Sequence, residues 1–350
     1  MSTTVPQKRQ RTDTNSDSKD GGPPVDTNQA DSTERSYLWF DDGNVVLQAE
    51  NILFRVHKSL LSLHSEFFSD MFSLPQPQDD VSQPMFEPGC PLIHISDSAE
   101  GVTCLLSTIF ENQKKYDPRK PMPVERAVAL YRLGNKYGIE HLCEDVLNRL
   151  KKEYPSTLKA WLDPSKFSEA FVQKDGILPL MANLAHEFNI LSVLPAIYAD
   201  LSIHPTEDLF KMKEKYDLNP HVLQTCLIGK ERLAAAHHDI VNDSLHDIHE
   251  PFDDCPSKLC DPISTMGWRE ASLRIHEGTK CLNDLQLGEE YAYCDDCTKV
   301  IATMYESIRQ ILWHRLPTYF GLPTWKKIRA LEARRFSTIW TVLNIADCFI

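Results

Sequence analysis

The chain has 350 residues, a length for which two domains are expected, and its 42% hydrophobic and 25% charged residues are ordinary for a soluble globular protein. Its net charge of −13 disfavours nucleic acid and anionic membranes as partners, and its 13 glycines argue against a glycine-rich nucleotide binder. We find no phosphate-binding loop, nucleophile elbow or zinc-protease motif, no apolar run that could cross a bilayer and no secretory leader.

Residues 1–36 are predicted to be a disordered polar tail. They are rich in Ser, Thr, Asp, Asn and Gln, and the first aromatic residue is Tyr37, so the segment cannot bury enough apolar surface to fold. Its basic cluster is formed by Lys8, Arg9 and Arg11. A nuclear import signal and a merely solvated tail both fit this cluster, although it is shorter than the usual basic signal. We therefore expect the protein in the cytoplasm or the nucleus.

A β-hairpin is predicted after this tail. Asp42-Gly43 is a turn signal, and Val45–Ala49 alternates in the manner of a short strand. Glu50-Asn51 is the predicted turn, and Ile52–Val56 is the second strand, with its apolar residues on one face. At His57 the apolar period changes from two residues to 3.6, which indicates that helices follow.

Two short helices are predicted after His57. Leu60, Leu61 and His64 are helically spaced, and Ser65 is a suitable N-cap for a second helix that carries Phe67, Phe68, Met71 and Phe72. A hairpin followed by two short helices cannot bury its apolar faces alone. We therefore expect further helices and a partner chain to cover them.

The residues from this hairpin and helix pair resemble the BTB/POZ domain. The resemblance is carried by a V-V-L strand, an F-x-x-H-K-x-x-L segment and an S-x-x-F-x-x-M-F segment, at Val45, Val46, Leu47, Phe54, His57, Lys58, Leu61, Ser65, Phe68, Met71 and Phe72. It implies a structural role for His57 at the strand-to-helix corner. Many members carry an Asp, part of a charged pocket at the dimer interface, where this chain has Asn44, so the resemblance implies a dimer with a weaker electrostatic contact.

A proline-rich segment interrupts the pattern. Residues 74–91 contain five prolines and are predicted to form an exposed insertion. Residues 92–95 resume as a strand. Ser98 then begins a helix whose apolar face is formed by Val102, Leu105, Leu106, Ile109 and Phe110.

A helical hairpin follows a second proline-containing linker at residues 116–123. Gly138 is the expected left-handed C-cap between two apolar stripes, which are formed by Ala127, Leu130, Tyr131, Gly134 and Tyr137 and by Ile139, Leu142, Cys143, Val146, Leu147 and Leu150. This corner resembles the last helix pair of a BTB/POZ domain. The resemblance therefore covers residues 37–152, including the proline-rich insertion near residues 74–91.

Residues 153–350 are predicted to be an all-α region. The hairpin pattern recurs 51 residues later, where Asn189 can take the left-handed cap that Gly138 takes. An internal duplication and the shared chemistry of any such corner both explain this recurrence, and the shared chemistry suffices. Further helices are predicted at Thr206–Tyr216, 221–240 and 299–314.

Two cysteine pairs are the candidate metal ligands. Cys255 and Cys260 are separated by four residues, Cys294 and Cys297 by two, and four thiolates can close a tetrahedral zinc site. Cys281, His246 and His249 are possible alternates. In the competing interpretation, Cys294 and Cys297 are small buried residues at the start of a helix. A redox pair is less favoured, because the two aspartates between these cysteines oppose a low thiol pKa.

The aromatic residues near the C-terminus also have two interpretations. Trp313, Phe320 and Trp325 follow or end a helix, among Leu-Pro dipeptides. Core packing is the usual role of such residues, and an exposed aromatic groove for a partner is the alternative.

The predicted fold is an α+β BTB/POZ domain, helical with a small sheet, followed by an all-α region. The arrangement resembles the large fungal BTB/POZ subfamily that has a cysteine-containing helical tail. The resemblance implies a non-enzymatic interaction module that forms homodimers and recruits other proteins. No catalytic residues can be assigned, and neither a small-molecule substrate nor a membrane partner is expected.

One BTB/POZ class bridges substrates to a cullin-3 ubiquitin ligase. That class often carries a hydrophobic-x-Glu tripeptide between the second core helix and the next strand, and Met85-Phe86-Glu87 occupies this interval. The resemblance therefore suggests a cullin-3 substrate adaptor. The alternative is a zinc-containing transcriptional regulator that uses the basic tail for nuclear import.

Overall fold

A two-stranded hairpin forms the centre of the sheet. Strands β2 (Val45–Ala49) and β3 (Ile52–Val56) pair antiparallel, with Ala49 opposite Ile52, and Glu50 enters the turn with a φ of 49°. This confirms the predicted hairpin and its two-residue turn. The computed structural model describes residues 33–74, 84–111, 119–163, 170–246, 255, 281–283 and 294–333.

Three further strands complete a mixed five-stranded sheet in the order β1-β3-β2-β5-β4. Strand β1 (Glu34–Trp39) pairs parallel to β3, and β5 (Cys90–Ile95) pairs parallel to β2. Strand β4 (Met85–Glu87) pairs antiparallel to β5 at the edge of the sheet. The buried face of the hairpin lies against the helices that follow.

The predicted boundary of the N-terminal tail requires a correction. We expected the tail to end at residue 36, but β1 begins at Glu34. The guanidinium of Arg35 lies 4.5 Å from the centre of the Trp39 ring, so a cation–π contact accompanies the backbone pairing. The remainder of the predicted tail, including Lys8, Arg9 and Arg11, lies outside the described residues.

The predicted insertion at residues 74–91 is also only partly a loop. Met85–Glu87 and Cys90 are in strands, joined by a tight turn in which Gly89 has a φ of 81°. Strand β4 was not predicted, because prolines and polar residues surround it in the sequence. It forms because it pairs with β5, and its own composition does not indicate a strand. Residues 75–83 lie outside the described part of the chain.

Serine side chains begin two of the three helices that follow. These helices are α1 (Lys58–His64), α2 (Glu66–Ser73) and α3 (Ala99–Phe110). The Ser65 hydroxyl accepts a hydrogen bond from the Phe68 N–H at 3.1 Å, and the Ser98 hydroxyl accepts one from the Gly101 N–H at 3.2 Å. Both serines therefore occupy the predicted helix starts.

Two helical hairpins turn through the same kind of corner. The first is formed by α4 (Val124–Lys136) and α5 (Glu140–Glu153), the second by α7 (Ile177–Glu187) and α8 (Leu194–Ile203). Gly138 and Asn189 have φ values of 63° and 50°. The Ile139 N–H donates to the Gly134 carbonyl at 2.7 Å, and the Ile190 N–H donates to the Ala185 carbonyl at 2.8 Å. The predicted left-handed caps are confirmed at both corners.

The described part of the C-terminal half is helical, as predicted. Its other helices are α6 (Leu158–Trp161), α9 (Thr206–Tyr216), α10 (Pro220–His246), α11 (Asp295–Tyr319) and a helix at residues 325–333. Helix α8 lies at the centre of this half, with nearly every residue buried. Among the described helices, none combines the length and the apolar character that crossing a membrane would require.

One large hydrophobic core extends from the sheet into the C-terminal helices. The predicted boundary at residues 152/153 falls at the end of α5, where Arg149 joins the halves. Its Nη1 donates to the carbonyls of Lys120 at 2.9 Å and Ala170 at 3.1 Å. The two halves are therefore packed as one body.

Three tryptophans continue this junction. The rings of Trp161 and Trp313 are 5.3 Å apart, and those of Trp313 and Trp325 are 6.0 Å apart. Each indole N–H donates a hydrogen bond: Trp161 to Asp200 at 2.8 Å, Trp313 to the Ser156 carbonyl at 3.0 Å and Trp325 to the Trp313 carbonyl at 2.8 Å. All three are buried, as is Phe320, so the residues for which an exposed aromatic groove was the alternative, Trp313, Phe320 and Trp325, form core.

Phe68→Ala is expected to lower the free energy of unfolding by about 3–5 kcal/mol, because the side chain is 2% exposed and leaves a cavity. Chemical denaturation of the full chain measures the loss. The matched control is Phe210→Ala on α9, where the exposed ring predicts a change of about 0.5 kcal/mol or less. Equal effects of the two substitutions would contradict the burial of Phe68.

Gly229→Ala is expected to destabilise the protein by about 1–3 kcal/mol, because a methyl group there would overlap the ring of Phe320. At an exposed helical site the same change would stabilise by about 1 kcal/mol, so the sign of the effect is informative. Adding Phe320→Leu to Gly229→Ala should recover part of the loss. A stabilising single substitution would show that α10 and the Phe320 turn are not in contact.

Candidate functional site

The N-terminal half carries a disproportionate share of the exposed apolar surface. Among the described residues, half of the large hydrophobic side chains that are exposed lie before residue 90, namely Tyr37, Leu63, Phe67, Leu74 and Met85. Leu63 on α1 is 74% exposed, and Leu74 at the end of α2 is 65% exposed. These side chains gain most from being covered by a partner, so they are candidates for an interaction surface.

Helix α2 has an inner and an outer apolar face. Phe68 points into the core and stacks on Tyr137, with 4.9 Å between ring centres. Phe67 is 48% exposed, and Met71 and Leu74 follow it at helical spacing. The Phe67 ring also lies 5.4 Å from Tyr137. We call Leu63, Phe67 and Leu74 the α1/α2 surface.

The corner before α1 is polar. The Asn44 side-chain oxygen accepts a hydrogen bond from the Lys58 N–H at 2.8 Å and so satisfies the start of α1. His57 Nε2 lies 3.1 Å from Asp42 Oδ1, and the His57 ring packs on Phe40. His57 thus has the structural role at the strand-to-helix corner that the resemblance implied. Asn44, at the position where many BTB/POZ domains carry Asp, caps α1 with a neutral side chain.

The tripeptide Met85-Phe86-Glu87 forms the edge strand β4. Glu87 is paired with Arg55, at 2.6 Å between Oε1 and Nη2, and the Phe86 ring meets the Trp39 ring edge-on at 5.4 Å. Met85 remains half exposed. Of the three side chains, Met85 is therefore the one most available to a partner.

Three of the four predicted zinc ligands lie together. The sulfur atoms of Cys255, Cys294 and Cys297 all lie within 4.8 Å of one another, and the Cys255–Cys294 separation is 3.7 Å. Cys260, the fourth predicted ligand, lies outside the described residues, as do the alternates His249 and the side chain of His246. We call these three residues the thiol cluster.

Local structure places the thiol cluster at the beginning of α11. Cys294 is the N-cap residue of this helix, and Cys297 lies in its first turn, so a two-residue spacing brings both sulfurs to one side. Cys255 comes from the chain beyond α10. Cys281, the other alternate, has a different role, because its carbonyl accepts a hydrogen bond from the Tyr305 hydroxyl at 3.0 Å and burial raises its thiol pKa to about 12.

A groove of about 560 Å³ lies between the two hairpin corners and the helix at residues 325–333. Its apolar floor includes Ile139, Ile190 and Ile328, and its rim includes Glu140 and Glu332. Burial, together with nearby acidic residues, raises the pKa of the Cys143 thiol in this groove to about 11, so the thiol stays protonated at neutral pH. The groove therefore offers contact surface and not a reactive nucleophile.

The α1/α2 surface was not predicted from the sequence, because the apolar pattern places Phe67 on the same face as the buried Phe68 and gives Leu63 no role. The helical phase of α1 could have revealed this surface. Leu63 lies two positions after the buried Leu61 and therefore not on the face of α1 that packs against the core. An apolar residue on the outward face of an amphipathic helix is the pattern that could have revealed it.

Comparison with protein families identifies residues 40–153 with the model of the BTB/POZ domain. This range contains the sheet from β2 onward, helices α1 to α5 and the α1/α2 surface, and it confirms the resemblance drawn from the sequence. A comparison with curated proteins found no match.

Proposed function

Because residues 40–153 are a BTB/POZ domain, a domain that mediates protein–protein interaction, we propose that this protein self-associates through the α1/α2 surface and recruits other proteins. In this proposal the chain is a non-enzymatic interaction module. The C-terminal helices extend the domain and supply further surface for partners.

The exposure of Leu63, Phe67 and Leu74 is the observation that supports self-association. Burying a Leu or Phe side chain that is otherwise exposed is favourable by about 1.5–3 kcal/mol, so three such residues offer a substantial gain on association. In a two-fold dimer the α1/α2 surfaces of the two copies pack against each other. The same three residues are then buried in both copies, and no different binding surface is needed.

The neutral corner at Asn44 affects the expected salt dependence. Its side chain is committed to the Lys58 N–H and carries no charge, so it cannot take part in an ion pair across a dimer. Association driven mainly by apolar burial depends little on ionic strength, whereas exposed charge pairs are screened by salt. We therefore expect a dimer that is insensitive to salt.

Leu63→Glu is expected to abolish self-association of the full chain, because it places a charge where a second copy would bury a leucine. Sedimentation equilibrium at about 50 micromolar should show a dimer for the parent protein and a monomer for the variant. A dissociation constant of this size corresponds to an association free energy of about 6 kcal/mol. Tenfold more salt should change the parent dissociation constant by less than about threefold.

The matched control for this experiment is Phe210→Glu, an exposed apolar residue on α9 outside the α1/α2 surface. It should leave the dimer intact. A parent protein that stays monomeric at this concentration, or a Leu63→Glu variant that stays dimeric with an unchanged circular dichroism spectrum, would refute self-association through the α1/α2 surface.

We further propose that the recruited machinery is a cullin-3 ubiquitin ligase, with Met85 as a contact residue. The support is the position of Met85-Phe86-Glu87 on the edge strand β4, where Met85 is half exposed while Glu87 is held by Arg55. An exposed methionine on a strand edge is an adaptable apolar contact for a partner.

Met85→Asp is expected to weaken binding to purified cullin-3 by more than about tenfold, which corresponds to the loss of about 1.4 kcal/mol or more. Isothermal titration measures the affinity, and Val172→Asp is the control, since Val172 is similarly exposed in the C-terminal half. If the parent protein shows no binding at about 50 micromolar cullin-3, the adaptor role is wrong even when the dimer is present.

The alternative of a zinc-containing transcriptional regulator is not favoured. The BTB/POZ match assigns protein binding, and a net charge of −13 opposes contact with DNA phosphates. Nuclear or cytoplasmic localisation stays a prediction, since the basic cluster of Lys8, Arg9 and Arg11 lies outside the described residues.

A further inference from the structure

The thiol cluster has the geometry of a metal site. A zinc ion binds thiolate sulfur at about 2.3 Å, and tetrahedral ligands at that distance are about 3.8 Å apart. The sulfurs of Cys255 and Cys294 are 3.7 Å apart, and that of Cys297 lies within 4.8 Å of both. A disulfide would need a separation of about 2.05 Å, so the cluster has the spacing of metal ligands and not of a covalent bond.

The surroundings distinguish the cluster from ordinary buried cysteines. Cys255 and Cys297 are buried and Cys294 is half-buried, and together they form a small cluster separate from the main core. A buried cysteine that serves only as a small apolar side chain does not need two others beside it. The elements that bring the three together are distant along the chain, since Cys255 precedes the other two by 39 residues or more.

The thiol cluster lies at the positive end of the α11 dipole. Cys294 caps this helix and Cys297 lies in its first turn, where the unpaired N–H groups create a partial positive charge. Asp295 and Asp296 oppose this effect, but Lys299 Nζ lies 3.2 Å from the Asp296 carboxylate and offsets part of its charge. A divalent cation would compensate most of the charge of three thiolates.

We propose that Cys255, Cys294 and Cys297 are three ligands of a structural zinc ion. Each thiol gives up its proton to solvent as its sulfur–zinc bond forms, and no oxidant or reductant is needed. Soft thiolate donors at tetrahedral spacing select zinc over calcium, magnesium or manganese. The ion links the chain at residue 255 to the first turn of α11. Trp313, farther along α11, packs against Trp161 and Trp325.

Elemental analysis of the full-length protein, purified without added metal or chelator, tests the proposal. We expect about one equivalent of zinc per chain, as tight structural sites normally retain. Less than about a tenth of an equivalent, or iron or copper in place of zinc, would overturn the assignment. An intact mass that is lower by two hydrogens under non-reducing conditions would show a disulfide instead, with the same consequence.

Substitution of the ligands gives a second test. Cys255→Ser and Cys297→Ser should each lower the zinc content at least fivefold, whereas Cys281→Ser, which changes a buried cysteine outside the thiol cluster, should retain it. Equal zinc content in all three variants would refute the assignment. Cys255→Ser is the more informative ligand variant, because this residue lies outside the helices and its replacement leaves α11 unchanged.

Cobalt exchange tests the parent protein without any variant, and so does not depend on the folding of the substituted chains. Replacement of zinc by Co²⁺ should produce the intense visible absorption of a tetrahedral site and the ultraviolet charge-transfer band of sulfur ligands. Weak visible absorption typical of six oxygen or nitrogen ligands, with no charge-transfer band, would exclude a thiolate site.

Discussion

The hydrogen bond from the Ser65 hydroxyl to the Tyr137 carbonyl, 2.5 Å long, connects two parts of the chain that are 72 residues apart. The same hydroxyl caps α2, so one side chain fixes both the start of this helix and its position on the hairpin corner. The Tyr137 ring stacks on Phe68, and its hydroxyl donates to Asp97. Burial and the Asp97 carboxylate keep the pKa of this hydroxyl far above its ordinary value, so it remains a donor at any physiological pH. The Phe67 ring also contacts Tyr137 at 5.4 Å while it stays 48% exposed, so the proposed dimer surface borders this arrangement.

Local chemistry was the part of the fold that the sequence predicted well. The caps at Ser65 and Ser98 and the left-handed corners at Gly138 and Asn189 depend on one residue each and on its nearest neighbours, and all four are confirmed. Strand β4 was missed because its formation depends on pairing with β5. The α1/α2 surface was missed because the helical phase of Leu63 and Phe67, which are exposed beside the buried Leu61 and Phe68, was not used. Cysteine spacing predicted four converging sulfurs; three of them lie close together in the structure, and the fourth, that of Cys260, lies outside the described residues.

The two halves of the chain cannot be treated as separate domains. The core is continuous across the end of α5. The Arg149 guanidinium on this helix donates to the carbonyls of Lys120, which precedes the helix in sequence, and Ala170, which follows it. A fragment ending at residue 152 would expose Tyr131, whose ring packs on Phe188 at 5.0 Å, and would deprive the buried Arg149 of the Ala170 carbonyl. Self-association and metal binding are therefore properties to be measured on the full chain. The interaction module is the whole folded unit, with the BTB/POZ domain as its N-terminal part.

The bond from Trp313 to the Ser156 carbonyl spans 157 residues and has a consequence for synthesis. A ribosome adds about 5–20 residues per second, so roughly 8–30 s pass between the emergence of these two partners. During this interval the nascent N-terminal half exposes both the face that Trp313 will cover and the α1/α2 surface. The order of translation therefore gives a molecular chaperone two apolar targets. One disappears when the chain is finished, and the other, in the proposed dimer, only when a second copy binds.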